Sequence, residues 1–287
     1  MVAMLSAGRP FALVLAVGAC ALVLAAPGEG RPTHEVSCST TQASSPNLSG
    51  EWSASDGGTY WISQIGTCLW WVGFSGPLDS STMGKSFSNV LFATVKGSSI
   101  EGLWADVPRG GILGYGTLKL AAKGTSLLYK RSQTGSGFGG RLWKRKTKPG
   151  AARIAKFPAS VECSLLPTDG PVDRTGKPVS LTGIWKGPLG GIYWVRQIGS
   201  CVWWAGFSGA LDSSTMGKSF STAFYGETST PSAGINKISG SWADVPRARN
   251  VDSGSLYVSI SLGSTLRLIS RTTTGRFKKP AVWTKLP

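Results

Sequence analysis

The chain contains one sequence twice, and this internal repeat limits its possible folds more than any other feature. Residues 57–71 recur at residues 190–204, and the twelve tryptophans fall into six equivalent pairs. A shared Trp-Ala-Asp-Val-Pro-Arg follows in both copies. We therefore place repeat 1 at residues 48–146 and repeat 2 at residues 181–287, and each has the length of a domain that folds independently.

Each repeat has the pattern of an all-β domain. Short runs rich in Val, Ile, Tyr, Trp and Thr are separated by turns with Gly and Ser, and no long helical periodicity appears. Strands joined in sequence by short turns favour an up-and-down meander, and closure into a barrel removes exposed edges. The predicted fold is all-β, two tandem small antiparallel meander barrels of about eight strands each. In repeat 1 the strands are predicted near residues 50–54, 59–65, 68–74, 87–96, 99–105, 114–122, 125–131 and 138–145.

Side-chain alternation assigns an inner and an outer face to these strands. A two-residue turn at Gly66-Thr67 would place Ser63 and Cys68 on one face. Arg196 stands at the place of Ser63 in repeat 2, and a charge is expected to face water. The Cys68 face is therefore predicted to point outward. The candidate ligand-binding residues of the inner face are Tyr60, Gln64, Trp71, Trp104 and Asp106, with Tyr193, Gln197, Trp204, Trp242 and Asp244 in repeat 2.

The first 28 residues are interpreted as a signal peptide. Arg9 precedes an apolar run, residues 11–26, that is short and rich in small residues, so it does not predict a transmembrane span. A lipoprotein signal ending at Cys20 is the alternative, although the apolar run continues past that cysteine. The mature protein is expected to be secreted or associated with the cell envelope.

The remaining four cysteines predict two disulfides, as is usual in an exported chain. Cys68 and Cys201 occupy equivalent places, and each has one partner upstream of its own repeat. The expected pairs are Cys38–Cys68, from the N-terminal segment 29–47, and Cys163–Cys201, from the segment 147–180 between the repeats. A zinc site is not expected, because the chain has no Cys-x-x-Cys pair and a single histidine. No cofactor is expected.

A large positive charge predicts an anionic environment or partner. The formal net charge is +16, and seven basic residues with no acid lie within residues 141–156. This run is either a solvated linker or an electrostatic contact with an anionic polysaccharide, lipid headgroups or nucleic acid. Nucleic acid is not expected as a specific partner.

The segment 73–88 matches 206–221 at fifteen of sixteen positions, although loops usually vary more than the strands they connect. Two interpretations stay open, a lid or binding loop over the barrel mouth and a compact loop packed by its own side chains. The lid residues would be Asp79, Met83, Lys85, Asp212, Met216 and Lys218.

The opening of each repeat resembles the calycins, the group of lipocalins and avidins. Gly50-x-Trp52 and Leu181-Thr182-Gly183-Ile184-Trp185 are similar to the Gly-x-Trp of their first strand. The connection between the third and fourth strands corresponds to the loop that covers the ligand in avidin-like barrels. The resemblance implies a meander barrel with a ligand at its mouth. The repeat pattern also resembles a class of exported bacterial repeats.

These observations predict a non-catalytic binding protein with two aromatic-lined β domains, acting on an extracellular small molecule, a glycan or an anionic polymer. The inward tryptophans are either core or the walls of a pocket. Asp106 and Asp244 either bind ligand, act as a general base, organise a turn, or pair with Arg109 or Arg247. A small-ligand carrier with one pocket per barrel, and a hydrolase that uses Asp106 and Asp244, are the alternatives.

Overall fold

The computed structural model contains 18 β-strands in the part of the chain that it describes. The described residues are 33–287 without 45, 78–79, 149–150, 174, 188–189, 210–212, 230–235, 249–250, 262–264, 269–276 and 278–280. The predicted signal peptide lies outside them. Among the described residues, no helix is long and apolar enough to cross a membrane.

Repeat 1 is a closed antiparallel barrel whose strands follow one another in sequence order, as predicted. The predicted hairpin is present, since Ile65 pairs with Cys68 across a turn in which Gly66 has a φ of 60°. The first and last strands close the barrel by pairing Trp52 with Arg145. The strands are β2 (Gly50–Ala54), β3 (Thr59–Ile65), β4 (Cys68–Phe74), β5 (Ser88–Lys96), β6 (Ser99–Asp106), β7 (Tyr115–Lys123), β8 (Leu127–Gln133) and β9 (Leu142–Arg145).

Repeat 2 forms a second barrel with the same strand order. Its first and last strands pair over Trp185–Lys285 and Lys186–Thr284. The predicted all-β class and the two tandem barrels are therefore confirmed. The strands are β11 (Gly183–Lys186), β12 (Ile192–Ile198), β13 (Cys201–Phe207), β14 (Ser221–Ser229), β15 (Asn236–Asp244), β16 (Ser253–Ile260), β17 (Thr265–Leu268) and β18 (Ala281–Lys285).

The segments that precede the two barrels pair with each other. β1 (Thr33–Val36) and β10 (Val161–Ser164) form an antiparallel ribbon in which Val36 lies opposite Val161. Each segment is also tied to its own barrel by a disulfide, Cys38–Cys68 in one case and Cys163–Cys201 in the other. The predicted disulfide pairing is confirmed. The segment between the barrels is thus part of the folded core, since Ala159 and Val161 are buried there.

The two faces of the strands belong to different hydrophobic clusters. The predicted inward residues Tyr60, Trp71 and Trp104 lie in the interior cluster of barrel 1. Cys68 and Trp70 lie on the outer face, as predicted, but this face does not meet water. It packs against the outer face of barrel 2 in one cluster that both barrels share. The charge at Arg196 therefore assigned the faces correctly, while the outer surface of these strands is an interface between the barrels.

Equivalent residues meet at this interface. Phe92 and Tyr225, each the fifth residue of its strand, stack with ring centroids 5.1 Å apart. Phe74 and its equivalent Phe207 lie 5.2 Å apart. Contacts between equivalent residues are the mark of a two-fold, isologous interface, so the chain resembles a homodimer whose subunits have been joined.

Candidate functional site

The inward aromatic residues of barrel 1 pack against one another inside the barrel, where they form part of its interior cluster. Tyr60 packs edge-on against Trp71 at 5.2 Å, and Trp71 lies 5.7 Å from Trp143. Phe138 enters from the loop between β8 and β9 and lies 4.8 Å from Trp104 and 6.0 Å from Trp71. All five rings are buried. The predicted wall of a pocket is thus packed as a core around Phe138.

Barrel 2 has the same arrangement. Trp204 stacks on Phe224 at 4.0 Å, and Tyr193 packs edge-on against Trp204 at 5.9 Å. Phe277 takes the place of Phe138, 4.9 Å from Trp242. The strand predicted near residues 138–145 is wrong at its start, because β9 begins at Leu142 and Phe138 lies in the loop before it. The aromatic cluster predicted from the inner face therefore lacked Phe138, and it also lacked Phe277.

The predicted glutamines hold the backbone where each barrel begins. Gln64 Oε1 accepts a hydrogen bond from Leu48 N at 2.9 Å, and Gln64 Nε2 donates to Gly66 O at 3.2 Å. Gln197 makes the same two bonds, from Leu181 N at 2.8 Å and to Gly199 O at 3.1 Å. Both side chains therefore satisfy buried backbone groups of their own barrel.

Asp106 and Asp244 each organise the loop that follows their strand. Asp106 Oδ2 accepts from Gly114 N at 2.8 Å, and Asp244 Oδ2 accepts from Asp252 N at 2.9 Å, eight residues on in both cases. Asp244 Oδ1 also accepts from Thr222 Oγ1 at 3.1 Å. These bonds support the interpretation that the two aspartates organise turns.

The charge of Asp106 is disfavoured where it stands. Burial raises the pKa of its carboxyl to about 7, while the bond from Gly114 and the nearby guanidinium of Arg196 act in the opposite direction. Arg196 belongs to barrel 2, and its Nη2 donates to Leu113 O of barrel 1 at 3.4 Å. The interface therefore contributes to the electrostatics of this aspartate.

The rings of Trp71 and Tyr60 each donate a hydrogen bond to a polar side chain. Trp71 Nε1 donates to Asn89 Oδ1 at 3.0 Å, and Tyr60 Oη donates to Asp56 Oδ2 at 2.7 Å. Burial, with Asp56 beside it, raises the pKa of Tyr60. Thr222 replaces Asn89 in barrel 2. The two barrel ends thus differ in their polar groups, and they also differ in one ring, since Phe224 of barrel 2 stands where barrel 1 has Leu91.

The nearly identical loops contribute to the interface between the barrels. Met83 and Met216 are buried in the shared cluster, whereas Lys85 and Lys218 are exposed. Asp79 and Asp212 lie outside the described residues. The buried methionines explain part of the identity of the loops by packing, and the exposed lysines are not explained in this way.

Two arginines bind these loops and cross the interface. Arg109 Nε donates to Met83 O at 3.0 Å, and its guanidinium lies 5.7 Å from the ring of Trp194 in barrel 2. Arg247 Nε donates to Met216 O at 3.0 Å and lies 5.0 Å from the ring of Trp61 in barrel 1. The arginine of the shared Val-Pro-Arg motif therefore holds the loop of its own barrel and also contacts a tryptophan of the other barrel.

Two residues of the basic run are structural. Arg145 donates to Ser49 O and Asn47 O at 2.6 Å each and lies over the Trp52 ring at 4.7 Å, which closes one end of barrel 1. Arg153 reaches Ser63 Oγ at 3.2 Å and Val251 O at 2.9 Å, one in each barrel. The exposed members of the run are Arg141, Lys144, Lys146, Lys148 and Lys156.

Part of this charge lies on the outer wall of barrel 1, on β7, β8 and β9. Lys123 and Lys144 flank Leu127 in one cross-strand row, which sets them about 10 Å apart at the usual strand spacing. Arg131 stacks on Tyr129 at 4.7 Å. We call the exposed side chains of Lys123, Arg131, Lys144 and Lys146 the basic face.

Comparisons with protein-family models, with curated proteins and with solved structures gave no match. The resemblance to calycins accordingly stays a prediction, while the barrel architecture rests on the structure itself.

Proposed function

We propose that this chain is an exported, non-catalytic binding protein that holds an anionic polysaccharide on the outer wall of barrel 1. The basic face is the observation that carries the proposal. It presents four exposed cations on one wall of a closed barrel, three of them on the adjacent strands β7, β8 and β9 and Lys146 directly after β9. Several exposed cations on one wall favour a polyanion over a single small anion.

The packing of the barrel interiors supports an external ligand. The aromatic residues that could have lined a pocket contact one another and the inserted rings of Phe138 and Phe277. A carrier of small molecules would need that space. An outer-wall ligand needs no change in the core.

The carboxylates support a non-catalytic role. Asp106 and Asp244, the acids suggested for a hydrolase, are buried and accept backbone hydrogen bonds that hold their loops. Such bonds give the two side chains a structural use.

The disulfides support export. Each joins a barrel to the segment that precedes it, with sequence separations of 30 and 38 between the paired cysteines. Disulfides of this kind form and persist in oxidising compartments outside the cytoplasm. The predicted signal peptide leads to the same proposal.

The test is retention of the purified chain, without residues 1–28, on immobilised heparin, with immobilised neutral dextran as the control matrix. We expect retention on heparin alone, and elution by salt, because salt screens exposed charges. Reversal of the basic face (Lys123→Glu, Arg131→Glu, Lys144→Glu and Lys146→Glu) should abolish retention at about 0.15 M salt.

The matched control reverses four exposed lysines elsewhere, Lys85, Lys177, Lys186 and Lys237, and has the same net charge. It should still be retained. Equal loss in both variants would mean that net charge acts without a site, and the proposal would be wrong. Retention of phospholipid vesicles or DNA in preference to heparin would also overturn the choice of ligand.

A further inference from the structure

A polar groove lies on the outer wall of barrel 1, beside the basic face. It consists of two clefts of about 440 and 430 Å³ that share His34 and Thr117 in their linings. The first cleft lies between β1 and strands β5 and β6, and the second lies over the start of β7. We call the two together the His34 groove. Each cleft has the size of a small-ligand site.

The lining of the groove combines carboxylates, hydroxyls, the ammonium group of Lys96, the imidazole of His34 and a limited apolar surface. Glu35 and Glu101 provide carboxylates, and Thr117 is one of several hydroxyl residues along the groove. Leu103 is a buried apolar residue of the first cleft, and Tyr115 presents a ring that is 38% exposed in the second. The mixture differs from the barrel interior, which is almost wholly aromatic and aliphatic.

Glu101 is accessible to a ligand. Its side chain is 56% exposed and pairs with Lys119 Nζ at 2.7 Å. An ionised carboxylate has about four lone-pair sites, so a single ammonium partner leaves acceptor positions for hydroxyl donors. The carboxylate is therefore held in place and still able to bind.

We propose that the His34 groove binds a neutral oligosaccharide. Sugars present many hydroxyl groups on a ring with an apolar face, which requires carboxylate and hydroxyl partners together with a partly exposed aromatic or aliphatic surface. The groove offers these in Glu101, Thr117 and Tyr115. Two clefts in line accommodate more than one sugar ring.

An extended peptide fits the groove less well. Such a peptide would add to the edge of β1 that faces the groove. Just past this edge, Ser37 O already accepts a hydrogen bond from Thr94 Oγ1 at 2.8 Å, so β1 is tied to β5 there. The lining also lacks the alternate apolar pockets that would recognise peptide side chains.

The residues of the groove are arranged differently in the two barrels. The register of the strands makes Ser239, Ser253 and Ser255 the equivalents of Glu101, Tyr115 and Thr117. Barrel 2 has its nearby carboxylate at Glu227, opposite Ser239 and only partly exposed, and its exposed ring at Tyr257 on the other side of Ser239. The carboxylate and the ring therefore stand on other strands than in barrel 1. The proposal predicts one oligosaccharide per chain, although the chain has two barrels.

The experiment is a calorimetric titration of residues 29–287, which include both barrels, with cellotetraose, chitotetraose and maltotetraose. At least one should bind with a stoichiometry of one, and about 0.5 M salt should leave the affinity within twofold, because the ligand is uncharged. Glu101→Gln and Tyr115→Ala should each weaken binding by at least about tenfold, equivalent to about 1.4 kcal/mol.

Ser239→Ala and Ser253→Ala are the matched controls in barrel 2 and should bind as the unmodified chain does. Circular dichroism and thermal unfolding verify that the variants are folded. No heat with any of the three sugars at about 10 mM, a stoichiometry of two, or equal loss in the control variants would overturn the proposal. Because heparin retention depends on salt and on the basic face, failure of one proposal leaves the other standing.

Discussion

The rings of Phe92 and Tyr225 stack on each other at 5.1 Å with an interplanar angle of 27°, although they belong to different barrels. They are equivalent residues, so their contact marks the approximate two-fold axis of the chain. Tyr225 also reaches the disulfide segment, where its Oη lies 2.9 Å from Cys163 Sγ. The interface, the ribbon and the disulfides therefore converge on this one pair.

Phe92→Ala should destabilise the whole chain. Phe92 is fully buried, and removal of a buried phenylalanine side chain costs about 3–5 kcal/mol. Because the shared cluster couples the barrels, we expect one urea transition, moved to lower urea, when tryptophan fluorescence and circular dichroism are followed. Tyr257→Ala is the control, since Tyr257 is 50% exposed and should cost less than about 0.5 kcal/mol. Two separate transitions in the unmodified chain would contradict the coupling.

Arg109 and Trp194 should be coupled energetically across the interface. The guanidinium lies 5.7 Å from the indole ring, and such cation–π contacts contribute about 0.5–2 kcal/mol. A double-mutant cycle with Arg109→Ala and Trp194→Leu measures this term in urea unfolding. We expect a coupling energy of about 1 kcal/mol. The same cycle on Arg109 and Trp185, a tryptophan buried inside barrel 2 rather than at the interface, should give a coupling energy near zero.

The stability of the chain should fall as pH rises through the range in which Asp106 titrates. Its pKa is about 7 in the folded state and near 3.8 when unfolded, so the folded state keeps a proton that the unfolded state releases between these values. The free energy of unfolding therefore decreases from about pH 4 to pH 7 and levels off above. The upper limit of this loss is about 4 kcal/mol at about 1.4 kcal/mol for each pKa unit.

Asp106→Asn tests that dependence, because the amide is neutral at every pH and its oxygen can still accept from Gly114 N. Urea unfolding between pH 4 and 8 should show that the free energy of unfolding of the variant rises relative to that of the unmodified chain as pH rises. Asp173→Asn is the control, since Asp173 has a lowered pKa, fixed chiefly by its bond from Thr175. Parallel pH curves for Asp106→Asn and the unmodified chain would rule out this assignment.

Removal of the disulfide between Cys163 and Cys201 should destabilise the chain by about 4 kcal/mol. The cysteines are 38 residues apart, and the estimate follows from the chain entropy of a loop of that length. The double variant Cys163→Ser and Cys201→Ser removes it without leaving a free thiol. Its thermal midpoint should lie below that of the unmodified chain. A reducing agent should lower the midpoint of the variant by less, because only the Cys38–Cys68 disulfide remains. An unchanged midpoint would show that the ribbon alone holds the segment.

Periodicity and repetition were enough to predict the eight strands of each barrel, the hairpin at Gly66, the disulfides and the inner face, but not β1 and β10, which lie outside the repeats. The interface could not be predicted in the same way, because alternation shows which side chains point outward and does not show what covers them. A signal was present in β4, where Leu69, Trp70, Trp71 and Val72 are apolar on both faces, which is typical of a strand buried on both sides. The single charge at Arg196 indicates the opposite, a face exposed to solvent.

Whether a site residue could be predicted depends on how far apart in the sequence its contacts lie. The inner face follows from local alternation, so the aromatic cluster was predicted as a group. Phe138 comes from a loop, and the His34 groove joins β1 to strands β5, β6 and β7, far apart in sequence. Contacts of that kind depend on how separate segments pack, which no local pattern records.

Arg153 and Arg196 take equivalent places on the two sides of the interface, although they come from different parts of the chain. Arg196 reaches Leu113 O from β12, and Arg153 reaches the equivalent Val251 O from the connecting segment while it contacts Ser63, the equivalent of Arg196. Arg153→Ala should therefore cost about 1.5–3 kcal/mol, as expected for hydrogen bonds to a charged group.

Ser63→Arg in the Arg153→Ala background should restore at least half of that loss, because it supplies the guanidinium from β3 as Arg196 does from β12. In the unmodified chain Ser63→Arg should instead destabilise, since two guanidinium groups would compete for one place beside buried Ser63. Urea unfolding of the four chains measures both effects. Lys156→Ala, an exposed change in the same segment, should have no effect. If Ser63→Arg destabilised both backgrounds equally, Arg153 and Arg196 would not be interchangeable and the two-fold relation would stop short of these side chains.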